Sequence, residues 1–277
     1  MMANVMIIAA IAMGIALAPL LVIRIMDDRK VDRLWSGLQQ IGAGEKFTVD
    51  MVKALPAPAR RYFLHAIKPG TPLAFSVQLE MKGSFRVSLK KKWAPMRARQ
   101  ILAPTRGLIW KASIGGLLKI TGYDRYVDGQ GGMKWRLYGV IPLLNAGGPD
   151  INRSARGRLA AETCWVPSSL LPQRGIRWES VDDETVKAAL SIDGEEFTLT
   201  LTVAEDGAPE RVRLNRWGDM AGDGHFEEIS FGAEFSGENS FGGYTVPTKI
   251  SVGWRPGTDQ YLEFFRAEVT SAVFTAE

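Results

Sequence analysis

The chain has one cysteine, Cys164, and two histidines, His65 and His225. A single cysteine closes no internal disulfide, so the fold is not a small cystine-stapled scaffold. Cys164 lies between Thr163 and Trp165 on the apolar side of a helical stretch and is expected to be a buried, inert thiol. Two histidines leave little room for imidazole catalysis. The sequence lacks zinc-ligand spacing, a nucleophile elbow and a phosphate loop, and no cofactor or metal is expected. Clustered basic charge is scarce. The net charge is +4 with a pI near 9.2, and the one dense tract is Lys90-Lys91-Lys92-Trp93. Nucleic acid needs a clustered basic face and is not an expected partner. The lysine triplet reads as a solvated strand end, with anionic lipid headgroups as the other option. Strands do not alternate regularly with helices, which argues against a parallel α/β sheet.

What is present begins with an apolar run. Val5–Ile23, VMIIAAIAMGIALAPLLVI, carries no charge and is long enough to cross a hydrocarbon layer of about 30 Å as a helix. A secretory signal peptide is the competing reading. Against it, Met1–Asn4 has no Lys or Arg, the run exceeds a usual signal core, and Ala16-Leu17-Ala18 is followed by Pro19. With no cysteine at its end, the run is not a lipoprotein signal. The expectation is an uncleaved N-terminal membrane anchor over residues 1–30. Arg24, Arg29, Lys30 and Arg33 would keep the main domain in the cytoplasm by the positive-inside bias, but Asp27, Asp28 and Asp32 dilute them.

Residues 31–70 read as a short helical linker. Val31, Leu34, Trp35 and Leu38 have helical spacing, and Gly42-Ala43-Gly44 breaks it. Thr48 suits an N-cap. Beyond Pro56 and Pro58, Ala59, Tyr62, Phe63, Ala66 and Ile67 make one apolar helix face. His65 falls off that face and is expected to be exposed.

From Leu73 a two-residue period takes over. Phe75, Val77, Leu79 and Met81 alternate with polar residues, and Phe85, Val87 and Leu89 continue the pattern. Val186–Ile192 and Phe197–Val203 flank Asp193-Gly194, a two-residue hairpin signal. About eleven strands at this spacing predict an antiparallel sheet over 71–277. The fold class is mainly β, or α+β: a curved antiparallel sheet or incomplete barrel, covered by helices and preceded by a transmembrane helix. One apolar sheet face needs a cover, and the stretch Asp150–Pro172 supplies it, with a helix near 150–164. Asp150 or Asn152 can cap that helix. Arg158 and Glu162 stand at i, i+4 and can pair; Leu170-Leu171-Pro172 forms an apolar lip. Asp124 and Asp128 lie in what reads as a polar turn ending in Gly129-Gln130-Gly131-Gly132.

The chain resembles a family of uncharacterised bacterial domains of unknown function. The matching pieces are Leu55-Pro56 through Arg61-Tyr62 to Pro69-Gly70, Ile109-Trp110-Lys111-Ala112, and Gly122–Gly129. Arg158-Leu159-Ala160 with Glu162, Trp165 and Pro167, then Trp178-Glu179 and Val246-Pro247-Thr248, complete them. The resemblance covers about residues 50–275 and implies no known activity. The architecture is also similar to the lipoprotein-carrier fold of the LolA and LppX type. That similarity implies an apolar cavity and an extracytoplasmic main domain, opposite to the charge bias.

The leading expectation is a membrane-anchored protein that binds a lipid or other hydrophobic molecule, with envelope lipid handling as its setting. Trp110, Trp135 and Trp165 would line the site and Arg158 with Glu162 would anchor polar atoms. The alternatives are a hydrolase-like enzyme using Asp124, Asp128 or Glu162, and a structural module pairing its sheet edge with an envelope partner.

Overall fold

The computed structural model of the protein describes all residues except 1, 40–43, 87, 89, 105 and 277, and gives helix backbone but no side chains for residues 2, 3, 5 and 8–16. A long helix, α1 (Met2–Leu38), comes first and α2 (Ala57–Ala66) follows. Six strands come next: β1 (Ser76–Phe85), β2 (Ala94–Ala103), β3 (Gly107–Ile114), β4 (Ile120–Val127), β5 (Gln130–Leu137) and β6 (Ile141–Ala146). Helix α3 (Pro149–Glu162) leads to β7 (Arg177–Ser180), β8 (Thr185–Ile192), β9 (Glu195–Val203) and β10 (Pro209–Gly218). The chain closes with β11 (Glu227–Phe241), β12 (Tyr244–Trp254) and β13 (Leu262–Thr275).

All thirteen strands form one antiparallel sheet in the order β6-β5-β4-β3-β2-β1-β13-β12-β11-β10-β9-β8-β7. It is a meander whose first and last strands meet at the centre, Ser76 opposite Thr275. The edges are short or blunted: β7 has four residues and β6 carries Pro142, both obstacles to further pairing. The segment between β6 and β7 returns across the concave side, so α3 spans the opening of the curved sheet.

Apolar alternation buries the inner face. Val77, Leu79, Leu102, Leu108 and Trp110 join residues of α2, α3 and β8–β12 in the main core. The expected face of α2 is buried at Ala59, Tyr62, Phe63 and Ala66, with Ile67 just beyond the helix. His65 departs from expectation: its Nε2 lies 2.7 Å from a Glu238 carboxylate oxygen and its Nδ1 3.1 Å from the Asp206 carbonyl. The partner carboxylate comes from β11, which local spacing does not reveal.

A second core lies on the outer face. Val31 and Leu38 of α1, with Leu34 and Trp35, pack on Ile101, Ile109, Tyr123 and Val127. These strands are therefore apolar on both sides. At this junction the Asp27 carboxylate accepts from Lys134 Nζ and Arg136 Nη2, each at 2.6 Å, and from the Tyr123 hydroxyl at 3.0 Å. Burial raises the Asp27 pKa, but these three partners outweigh it and hold it below 3.8. A depressed carboxylate contributes stability above 3.8 that is lost as pH falls through the folded value. Asp27 is 7% exposed, so Asp27→Ala should cost about 3 kcal/mol at neutral pH by stranding Arg136. Urea unfolding checks this; a loss that persists unchanged well below pH 3.8 would contradict it.

Among the described residues no helix is long and apolar enough to cross a membrane. The expected anchor, Val5–Ile23, rests largely on side chains outside those described. So do the break at Gly42 and Ala43 and the alternation at Val87 and Leu89. Two local expectations change. Gly148, not Asp150 or Asn152, precedes α3 as its cap. Asp150 accepts from the Trp217 indole at 2.9 Å and Asn152 from the Gly131 amide at 2.8 Å, so both fasten the helix to strands. Leu170 and Leu171 are fully buried core residues rather than a lip, because the turns after α3 fold inward.

Candidate functional site

Between α3 and the sheet lies a cavity of about 630 Å³, within the usual range of ligand sites. Its apolar wall includes Trp110, Trp165, Phe231, Trp254, Phe264 and Phe265. The strand period aims Trp110, Phe231 and Trp254 inward; a register shift between β12 and β13 lets the consecutive Phe264 and Phe265 both reach the space, and Trp165 follows α3 on the opposite side. Ala221 and Gly222, in the loop between β10 and β11, line the cavity and are exposed. The cavity opens to solvent there.

One part of the wall is polar. Arg158, on α3, donates from Nε to Glu162 at 2.6 Å and from Nη1 to Asp124 at 3.0 Å. Glu162 also accepts from Gln100 of β2, and Asp124 accepts from the Trp135 indole at 3.0 Å. The Arg158 guanidinium lies over the Trp110 ring, 5.2 Å from its centroid. Burial raises the Asp124 pKa and outweighs Arg158 and Trp135. Burial also opposes the charge on Arg158, but Glu162 and Asp124 more than offset it and hold that group above its ordinary value.

Arg216 of β10 is the second cation. Its Nε donates to the Ser154 carbonyl at 3.0 Å and its Nη2 lies 3.3 Å from the Ser154 hydroxyl. No carboxylate among the described residues forms a direct ion pair with it. It rests on Phe231 and Trp254, 4.6 and 5.1 Å from their centroids. Burial, reinforced by Arg158, pushes its pKa down to about 9. Arg216 is half-buried and lines the cavity. Gly157 makes room for it: a Cβ there would stand 2.9 Å from Arg216 Cγ. Nearby, the Trp110 indole N–H is buried with no partner among the described residues.

The structure brings Trp110, Arg158, Glu162 and Trp165 to the cavity wall. Trp135 stands behind it, 5.6 Å from Trp110 ring to ring, and positions Asp124. Asp124 belongs to β4, not to a turn, because its neighbours pair on both sides. Asp128 occupies the β4–β5 turn beside Arg106 at 3.6 Å and does not line the cavity. Cys164 is buried, and its thiol is pushed up to about 12 by burial and by Glu162. Sequence reasoning missed Arg216 and Gln100; the one local hint was Gly157, a glycine inside a helix.

A family profile described as a family of unknown function, DUF6920, matches residues 53–274. No curated protein matches. Among solved structures the chain is similar to a LolA superfamily protein from Nitrosomonas europaea, at 10% identity over 79% of this chain and 93% of that one, with a TM-score of 0.40. It is also similar to a domain from Vibrio parahaemolyticus described as an outer membrane lipoprotein-sorting protein domain. That match has 8% identity over 72% of this chain and 85% of the other, with a TM-score of 0.40.

Proposed function

The chain belongs to the DUF6920 family of unknown function, and we propose that it is a membrane-tethered binding protein for a lipid or other hydrophobic molecule. The observation that carries the reading is the cavity: about 630 Å³ of aromatic-lined space with a polar group at one side and an opening to solvent. A hydrophobic guest in an apolar-lined space of this size gains packing contacts with the rings and leaves water. Arg216 offers donors to a polar head, while the rings take an apolar tail. The uncharged run Val5–Ile23 supports the tether. Both carboxylates of the polar wall are engaged by Arg158, Gln100 and Trp135, and Asp128 stands elsewhere. This arrangement favours a structural latch over the hydrolase alternative.

The test is extraction of lipid from the full chain, purified from membranes in mild detergent. Mass spectrometry should find a long-chain lipid at near-stoichiometric amount, and the stripped protein should bind a fluorescent fatty acid. The absence of both bound lipid and probe binding would sink the reading.

A further inference from the structure

Six consecutive strands, β1 to β6, place three turns at one end of the sheet. Phe85 pairs with Ala94, Met96 with Ile114, Ile120 with Leu137 and Leu137 with Ile141. The turns β1–β2, β3–β4 and β5–β6 are therefore neighbours, and the Tyr138 amide donates to the Lys119 carbonyl at 2.7 Å, joining two of them. Two of the tips, β3–β4 and β5–β6, are apolar and uncovered: Leu117 is 92% exposed, Leu118 65% and Tyr138 52%. Turn geometry does not require these leucines, since Gly115 already supplies the positive φ of 96°. The three turns, RVSLKKKW, GGLLK and YGVI, contain basic residues and no Asp or Glu. Lys90, Lys91, Lys92 and Lys119 are all exposed. Exposed aliphatic tips ringed by lysine suit an anionic lipid surface: the leucines gain by leaving water and the lysines by meeting headgroup phosphates.

The helix points to the same end. The Gly37 carbonyl of α1 accepts from Arg106 of the β2–β3 turn at 2.9 Å, at the far end of these strands. Arg24 reaches the near end, its Nη1 2.6 Å from where a Cβ on Gly139 would sit. Beyond Arg24, Leu21, Val22 and Ile23 are exposed, and the uncharged run continues back to Val5. The cavity wall also reaches this end, at Phe85 and Arg86.

We propose that this end of the sheet lies on an anionic bilayer, with Leu117 and Leu118 inserted, so that a guest passes from the membrane to the cavity without crossing bulk water. The proposal rests on α1 being the tether, and it adds a second contact made by the β-domain itself.

The test places a nitroxide on Leu117→Cys in the full chain, reconstituted in vesicles of phosphatidylcholine and phosphatidylglycerol in equal parts. Cys164 is buried with its thiol pushed up to about 12, so the label goes to the new cysteine. Glu205→Cys, exposed in the β9–β10 turn, serves as the aqueous reference, and Ile141→Cys gives a second reading at the same end. The expected result is severalfold higher accessibility to oxygen than to a water-soluble nickel chelate at 117, a weaker bias in the same sense at 141, and none at 205. If the chain floats with the vesicles but 117 behaves like 205, the docking proposal is overturned and the tether stands. If the chain does not float at all, both fall.

Discussion

Arg158→Met should lower the unfolding free energy by about 3–5 kcal/mol at neutral pH, the cost of breaking a buried ion pair from one side. Arg158 is 17% exposed and, among the described residues, is the one cation hydrogen-bonded to both Asp124 and Glu162. Methionine approximates its stem volume, so the loss is mainly electrostatic: two carboxylates remain in an apolar wall beside Trp110. The pH dependence separates this from lost packing. Burial already holds Asp124 above 3.8 in the folded protein. A carboxylate raised in this way contributes stability that is full below its unfolded value and is lost as pH rises through its folded value. Removing Arg158 raises that folded value further, so the deficit should be largest near neutral pH and shrink as pH falls toward 3.8. Asp27 acts in the other sense and only below 3.8, so it does not obscure the trend. Urea unfolding of both proteins across this range tests it. A deficit under about 1 kcal/mol, the scale of a surface pair, or one that ignores pH, would show that the cluster is not buried as described.

Filling the cavity should weaken guest binding at least about tenfold while leaving the fold intact. Ala161 of α3 and Ala233 of β11 both line the space, and phenylalanine at each occupies volume a tail would use. Aromatic residues suit a strand and bury large area, so Ala233→Phe with Ala161→Phe should hold or raise the melting temperature. Affinity for a fluorescent fatty acid should fall at least about tenfold, or ~1.4 kcal/mol. Unchanged affinity in a folded double variant would place the guest elsewhere, for instance in the outer-face groove beside Arg97 and Lys111.

The sequence carries the fold wherever one face of a strand is wet. Val186–Ile192, Asp193-Gly194 and Phe197–Val203 read as a hairpin because their polar faces meet solvent, and they form β8 and β9. In β3, Leu108, Ile109 and Trp110 are all buried, since α1 covers the outer face, so no two-residue period survives. β6 is an edge whose Leu143 and Leu144 are both exposed, and β7 is four residues long; neither alternates. The site divides in the same way. Arg158 and Glu162 are legible because an i, i+4 pair is local. Their partners Asp124 and Gln100 arrive from 34 and 62 residues away, a distance only the curled sheet closes. Arg216 follows Asn215 and precedes Trp217, as an ordinary solvated strand arginine would, and only the opposing Gly157 marks its inward path.

The most direct measurement is a crystal structure of the protein soaked with a brominated long-chain fatty acid. Anomalous bromine peaks are expected inside the space bounded by Trp110, Trp165, Trp254 and Phe265, with the carboxylate near Arg216. Peaks confined to the outer face, or a cavity holding only ordered water, would contradict the proposed function.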